Sequence, residues 1–451
     1  MASSSEPAID IPSDTALSIP ELFQATMQAH VERRVDQARA GYVKLRELAP
    51  LNADSWHLSA VFEAQYGSPA LAKAWILQAI ELDPDQGAFH NNLGNVHVRD
   101  GQIDDAERCY RRALALDPER LDAKSNLGLL LRWRGDFKTA EELYLDVLKR
   151  APGFVDARKN LVSLYMRMGR MREAMVEAAA GLLTAPRNTM LRRLLGRAYA
   201  EYGEPGKAIE LYENWQREDP DHPEPAHHLA ALRGTGIPER ASDAYVVEAF
   251  AGFAASFDAK LAMLEYRAPQ LVGDYLAEVL GSARKSLRFI DAGCGTGLCA
   301  PQVDKFARSL VGVDLTQQML DRAVERGGYD ELVQGELVAF LHARPASCDV
   351  IISADTLCYF GRLDEFAAAA RQALDASGWL VFTVEAHGDI PGRPDYRLQL
   401  HGRYSHRRGY VEAILAEAGF ADIALREVVL RNEGNSPVMG WLTRARLPPA
   451  A

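Results

Sequence analysis

The chain has 451 residues, enough for two or three domains with cores of their own. Its 51 basic and 62 acidic residues leave a net charge of −11, which argues against nucleic acid or an anionic membrane as a partner. It is 48% hydrophobic, yet no apolar run is long enough to span a bilayer and the start lacks the pattern of a secretory signal.

Five cysteines, an odd number without a CxxC pair, read as reduced thiols in a cytoplasm. No metal site is expected, although Cys294 and Cys299 are close enough in sequence to raise a zinc site as an alternative.

In chain order, residues 1–18 read as a flexible lead. Prolines then recur every 34 residues, at Pro50, Pro84, Pro118, Pro152, Pro186 and Pro220. Gly67, Gly101, Gly135, Gly169 and Gly203 run in phase with them, as do Ala72, Ala106, Ala140, Ala174 and Ala208. Small residues at fixed places let two helices approach closely. Glycine suits the turn between them, and proline closes the second helix. One such pair cannot bury its apolar face alone, so the pairs must stack.

The pattern resembles the tetratricopeptide repeat. The unit at 87–120 carries Leu93, Gly94, Gly101, Ala106, Tyr110, Ala113 and Pro118 at the family's positions. Five good units cover 53–222, within a repeat domain at 19–233. A degenerate unit at 19–52 has Arg33 where glycine should be, and a capping helix follows 222. The resemblance implies a concave surface that engages a protein or peptide partner. Asn91, Asn92, Asn95, Lys124, Asn126, Arg158, Asn160, Arg192 and Arg193 fall on it by spacing. Oligomerisation, or simple support of the second domain, are the alternative roles.

Residues 234–244 are rich in glycine and proline without apolar periodicity, so they read as a linker. A second domain is expected over 245–446. It opens with an aromatic helical stretch in which Tyr245, Phe253, Phe257 and Tyr266 could cover a ligand. Strands are then predicted at 287–292, 310–314, 332–336, 350–354, 380–385, 423–430 and 438–445, with clear helices at 317–326 and 365–374. The apolar early strands fit an open, mostly parallel α/β sheet, which binds ligands past the carboxyl ends of its strands.

The first strand ends in FIDAGCGTG, residues 289–297. A dinucleotide fingerprint needs a third glycine where Leu298 stands, and an anionic pyrophosphate would not favour Asp291 in the strand end. Asp314, at the end of the second strand, is a natural acceptor for two ribose hydroxyls, and Met319 could cover one face of an adenine. At the third strand end, Glu336 could take an exocyclic amine and the Leu337 amide a ring nitrogen. Asp355 and Tyr359, after the fourth strand, face the same crevice.

These residues, in this order, resemble a class I S-adenosylmethionine-dependent methyltransferase. The whole chain resembles bacterial methyltransferases with tetratricopeptide repeats. The resemblance rests on DAGCGTG, on Asp314 and on ISADTLCYFGRLDE, with FDAKLAMLEYRAP and RYSHRRGY beside them. It implies a Rossmann-like seven-stranded sheet whose last strand is antiparallel, and S-adenosyl-L-methionine as cofactor. Asp291, Gly293, Gly295 and Gly297 would surround the methionine and ribose, with Leu315 and Ala354 beside the other cofactor contacts. The family more often has aspartate where Glu336 stands.

A sulfonium methyl is already electrophilic, so positioning and exclusion of water matter more than an obligatory base. The methyl acceptor and the atom methylated are not readable. His387, Tyr404 and His406 are the candidate catalytic residues, and Tyr359, Arg403, Tyr404 and His406 the candidate substrate contacts. Arginine suits a carboxylate or phosphate, and histidine suits proton removal near neutral pH. Arg407 and Arg408 equally well begin a solvated helix. Two rival readings are a repeat adaptor whose methyltransferase fold is inactive and a nicotinamide oxidoreductase.

Overall fold

The computed structural model describes residues 17–251, 257–282, 284–388, 394–433 and 436–449. Most of the N-terminal lead, and Phe253, lie outside the described residues. By internal contacts the chain divides into two compact units, 1–130 and 131–451.

The first unit is made of antiparallel helix pairs. They are α1 (Ile19–Val31) with α2 (Val35–Leu48), α3 (Ala53–Tyr66) with α4 (Pro69–Leu82), and α5 (Gly87–Arg99) with α6 (Ile103–Leu116). The division falls within α7 (Leu121–Arg134). Ala38, Ala72 and Ala106 are fully buried where paired helices meet. Gly94 shows why a small residue is needed, since a Cβ there would lie 2.5 Å from the Tyr110 ring.

The degenerate first unit folds like the others, and Arg33 adopts the left-handed conformation (φ 58°) that Gly101 takes in its own turn (φ 72°). Gly67 departs from the pattern. Its φ is −145°, and its missing side chain makes room for the Glu63 carboxylate, which accepts the Ser68 N–H at 2.9 Å.

On the inner helices of this unit the asparagines bond mainly to one another. Asn126 donates to Asn91 (2.9 Å) and to Asn95 (3.1 Å), and Asn92 meets His57 at 2.8 Å.

The second unit continues the repeats with α8 (Phe137–Arg150), α9 (Val155–Arg167), α10 (Met171–Thr184), α11 (Thr189–Glu201), α12 (Pro205–Glu218) and a single closing helix, α13 (Pro223–Arg233). Two residues expected on the concave surface are turned inward instead. Arg158 donates to the Pro152 carbonyl at 2.8 Å and pairs with Glu177. Arg192 donates to the Pro186 carbonyl at 2.9 Å and pairs with Glu218. Each braces the turn before its own helix.

The α/β part carries α14 (Asp243–Ala251), α15 (Phe257–Met263) and α16 (Ala268–Leu280) ahead of its sheet. Then follow β1 (Leu287–Ala292), α17 (Ala300–Val303), β2 (Ala307–Asp314), α18 (Gln317–Arg326), β3 (Glu331–Gln334), α19 (Leu337–His342), β4 (Cys348–Ser353), α20 (Asp364–Ala373) and β5 (Leu374–Ala386). The remainder is β6 (Tyr396–Leu398), β7 (Tyr404–His406), α21 (Arg408–Glu417), β8 (Ala421–Glu433) and β9 (Ser436–Arg446).

The first five strands are parallel in the order β3-β2-β1-β4-β5. β9 lies antiparallel to β5, and β8 pairs with β9. All seven expected strands are present, with the last antiparallel. β6 and β7 were not foreseen, and β7 extends the sheet beside the carboxyl end of β5.

Alternating side chains split between two cores, one on each face. Ile290, Ile351 and Phe382 lie in one; Phe289, Val350 and Val381 lie in the other. The chain order reverses between β1 and β4, and such a reversal opens a crevice at the carboxyl ends.

The stretch expected to be a linker is docked. The Glu239 carbonyl accepts the N–H groups of Gly361 and Arg362, both at 2.8 Å, and Ala241 donates to Tyr359 O at 2.8 Å. The Tyr404 hydroxyl donates to Pro238 O at 2.8 Å. α13 joins in, with His227 2.9 Å from Gly402 O and stacked on Tyr245 at 3.9 Å. The last repeat helix is thus part of the α/β domain's own packing. A chain lacking 1–233 should therefore melt at a lower temperature than one beginning at Pro205, which keeps α12 and α13. Equal midpoints would contradict this packing.

Candidate active site

The crevice is a cavity of about 370 Å³ at the carboxyl ends of β1, β2, β3 and β4. That size suits a small-molecule site. Its wall begins with the glycine turn after β1. Gly293 has φ 82°, and a Cβ there would lie 2.3 Å from the Thr356 side chain, which itself donates to Gly293 O at 3.0 Å. The Gly295 N–H donates to Asp314 Oδ2 at 3.0 Å.

Asp314 is half-buried on the wall, and desolvation raises its carboxyl above the ordinary range against hydrogen bonds from Thr316 and Gly295 that lower it. Its Oδ1 accepts both the N–H (2.9 Å) and the hydroxyl (2.7 Å) of Thr316. A carboxylate oxygen takes about two such bonds, so the room left is at Oδ2. The carboxylate can therefore take one further hydroxyl as it stands, not the two expected from the sequence.

Leu315, Met319, Glu336, Leu337, Ala354, Asp355, Tyr359 and Arg403 line the same cavity. Glu336 caps α19, accepting the Ala339 N–H at 2.8 Å through Oε2, while its buried Oε1 has no hydrogen-bond donor. Leu337 opens that helix, where backbone N–H groups lack intrahelical partners.

Asp291 and Gly297 stand behind the wall. Gly297 packs on Tyr329 and Ala323. Asp291 is 1% exposed, and Tyr329 donates to its Oδ2 at 2.6 Å, while Oδ1 has no partner. Burial pushes its carboxyl up to about 7; the Tyr329 hydrogen bond opposes the shift and the Asp314 charge adds to it. Its folded value lies above the ordinary 3.8, so its contribution to stability is full below about pH 4 and is lost as pH rises through about 7. The midpoint of thermal unfolding should accordingly fall between pH 5 and pH 8 less steeply in Asp291→Asn than in the unaltered protein. Parallel slopes would contradict the assignment.

The catalytic candidates need correction. Tyr404 and His406 are both fully buried. The Tyr404 hydroxyl is spent on Pro238 O, and its ring lies in a cluster with Ala230, Ala241, Tyr245 and Leu398. His406 meets Gly361 O at 3.0 Å and stacks on Tyr410, and burial pushes its imidazole down to about 4. His387 sits between Ser405 Oγ and Pro394 O, each at 3.2 Å, away from the cavity. Among the described residues, no histidine lines the cavity.

Arg403 does reach the cavity, but its guanidinium donates to Glu385 Oε1 at 2.6 Å and to Glu433. Arg431, from β8, completes a buried network by donating to Asp355, to Glu385 and, at 2.8 Å, to Glu433. Asp355 holds φ 60°, with its N–H on Thr383 Oγ1 at 2.9 Å. Sequence reasoning missed Arg431 and Glu433, which carry no local motif. It also missed Lys260 and Arg240, which line the cavity from α15 and the docked stretch. Phe250, Phe257 and Tyr266 supply an apolar wall, as the aromatic pattern suggested for the last two.

Among the described residues no group of three or more His, Cys, Asp or Glu side chains is gathered as a metal ion would need, and no helix is long and apolar enough to cross a membrane. The five cysteines form no disulfide.

Residues 290–382 match the family model of the methyltransferase domain, and 91–153, 131–197 and 191–224 match models of the tetratricopeptide repeat. The chain thus joins tetratricopeptide repeats to a methyltransferase domain with a Rossmann-like sheet. Human methyltransferase-like protein 27 is 35% identical over 98 residues, 22% of this chain and 39% of that protein's length. An S-adenosylmethionine-dependent methyltransferase from Mesorhizobium loti is similar in structure, at 24% identity over 38% of this chain and 96% of its own, with a TM-score of 0.31. Pseudomonas aeruginosa pilF is similar at 19% identity over 45% of this chain and 92% of its own, with a TM-score of 0.40.

Proposed function

We propose that the protein transfers a methyl group from S-adenosyl-L-methionine to an acceptor, with the repeats docking a protein or peptide partner. The observation that carries this reading is the cavity wall itself. It brings the Gly293–Gly295 turn, the spare capacity of Asp314 and the undonated Oε1 of Glu336 to one place.

The residues fit the cofactor. Glu336 Oε1 suits an exocyclic amine, and the Leu337 N–H suits a ring nitrogen beside it. Met319 and Leu337 offer apolar cover to an adenine, Asp314 Oδ2 takes one ribose hydroxyl, and the glycine turn lets backbone atoms approach the amino-acid end. The cofactor supplies an electrophilic methyl. The chain's part is to bind, to orient the acceptor and to exclude water with Phe250, Phe257, Tyr266 and Tyr359. Undisulfided cysteines suit a reducing cytoplasm.

The test is incubation of the full chain with methyl-labelled cofactor and cell extract. Label should enter an extract component and should be lost with Asp314→Ala. Cofactor binding without transfer to any component would favour the adaptor reading.

A further inference from the structure

The docked stretch ahead of α14 sets an arginine beside Glu336. The backbone of Arg240 forms an antiparallel bridge to Phe360. Its neighbours hold the same segment, with Glu239 O accepting from Gly361 and Arg362 and the Ala241 N–H donating to Tyr359 O, all at 2.8 Å. Arg240 lines the cavity with Glu336, Leu337 and Phe360, and its guanidinium carbon lies 5.9 Å from the Phe360 ring.

Arg240 Nη1 donates to Asp243 Oδ1 at 2.5 Å and stands 3.8 Å from Glu336 Oε1. The second distance is too long for a hydrogen bond. Arginines elsewhere in the domain close on their glutamates, as Arg344 does on Glu331 and Arg426 on Glu278, both at 2.6 Å. Asp243 holds Arg240 short of that contact, and the buried Glu336 Oε1 has no donor among the described residues. A buried acceptor left so costs free energy that a ligand's donor recovers. An acceptor and a donor thus stand side by side at the cavity without being spent on each other. Adenine has the matching edge, since its exocyclic amine donates and N7 beside it accepts. With the amine on Glu336 Oε1 and the Leu337 N–H on N1, at the amine's other flank, N7 is the acceptor left for a guanidinium N–H.

We propose that Arg240 is a cofactor-binding residue that donates to N7 of the adenine, so that the stretch joining the repeats to the sheet takes part in selecting the cofactor. This rests on the methyltransferase reading of the cavity. The strand-end turns alone then do not make the adenine site. Arg240 reaches it only because the stretch is docked on the segment after β4.

The test is calorimetry of the full chain with S-adenosylhomocysteine and with its 7-deaza analogue, in which a C–H replaces N7. The unaltered protein should bind the analogue about tenfold more weakly, the loss of one hydrogen bond from a charged donor. Arg240→Met should bind S-adenosylhomocysteine about tenfold more weakly and should no longer distinguish the two ligands. Equal affinity of the unaltered protein for both ligands would overturn the inference without any variant. Discrimination that persists in Arg240→Met would overturn it too. So would tighter binding of S-adenosylhomocysteine by Arg240→Met, because Arg240 would then be a competitor for Glu336. Failure of S-adenosylhomocysteine to bind the unaltered protein would remove the cofactor reading itself, and is distinct from binding without discrimination.

Discussion

Replacing Asp314 with alanine is expected to weaken S-adenosylhomocysteine binding about 100-fold, roughly 3 kcal/mol. Two losses add. The ligand loses the acceptor at Oδ2, and the Gly295 N–H loses the carboxylate that pins the glycine turn. Thr316, which opens α18 and donates twice to Oδ1, is released as well. Asp314→Asn should fall between the two, because its amide oxygen can replace one carboxylate oxygen but not both. Calorimetry on the three proteins checks this. Unchanged affinity in Asp314→Ala would show that the ligand does not use this carboxylate.

Arg431→Met is expected to cost about 3–5 kcal/mol of folding stability, the range for breaking a buried ion pair from one side. Arg431 is 3% exposed and donates to three carboxylates, those of Asp355, Glu385 and Glu433. Arg403 also serves Glu385 and Glu433, but no second cation pairs with Asp355 among the described residues. Arg431→Lys should rescue little, since one ammonium cannot address three acids set around a planar fork. The loss should shrink at low pH, where the carboxylates are protonated and no longer need the cation. Burial raises Asp355 above its ordinary range, whereas Arg403 and Arg431 hold Glu433 down to about 2 against its burial, so the recovery begins with Asp355 and is complete only in the strongly acidic range. Denaturant titration at neutral and acidic pH measures both effects. A change under 1 kcal/mol would contradict the network as the brace of this end of the cavity.

Much of the fold was legible because its patterns repeat. The 34-residue period announced the helix pairs, including the unit whose turn uses Arg33 in place of glycine. The parallel strands were legible as short apolar runs, and residues at their carboxyl ends became the cavity wall. β6 and β7 were not legible, because three residues are too few to show a period.

The misread residues share a cause. The cluster at 401–410 is rich in chemistry, but composition does not say which way a side chain points. In β7 successive side chains alternate in direction. Arg403, just before the strand, reaches the cavity, whereas Tyr404 and His406 point into the packing with Pro238 and Gly361. Asp291 is a related case, since a strand-end acid next to three glycines looks like a ligand contact. Its hydrogen bond goes to Tyr329, thirty-eight residues away. Arg431 and Glu433 were invisible because only the pairing of β8 with β9, and of β9 with β5, carries them to the site.

Titration of the folded full chain with S-adenosylhomocysteine by calorimetry tests the central claim most directly. The account predicts one site per chain with a dissociation constant in the micromolar range, about −8 kcal/mol, and no competition from NADH. Absence of measurable heat across several temperatures, in protein shown to be folded, would contradict it.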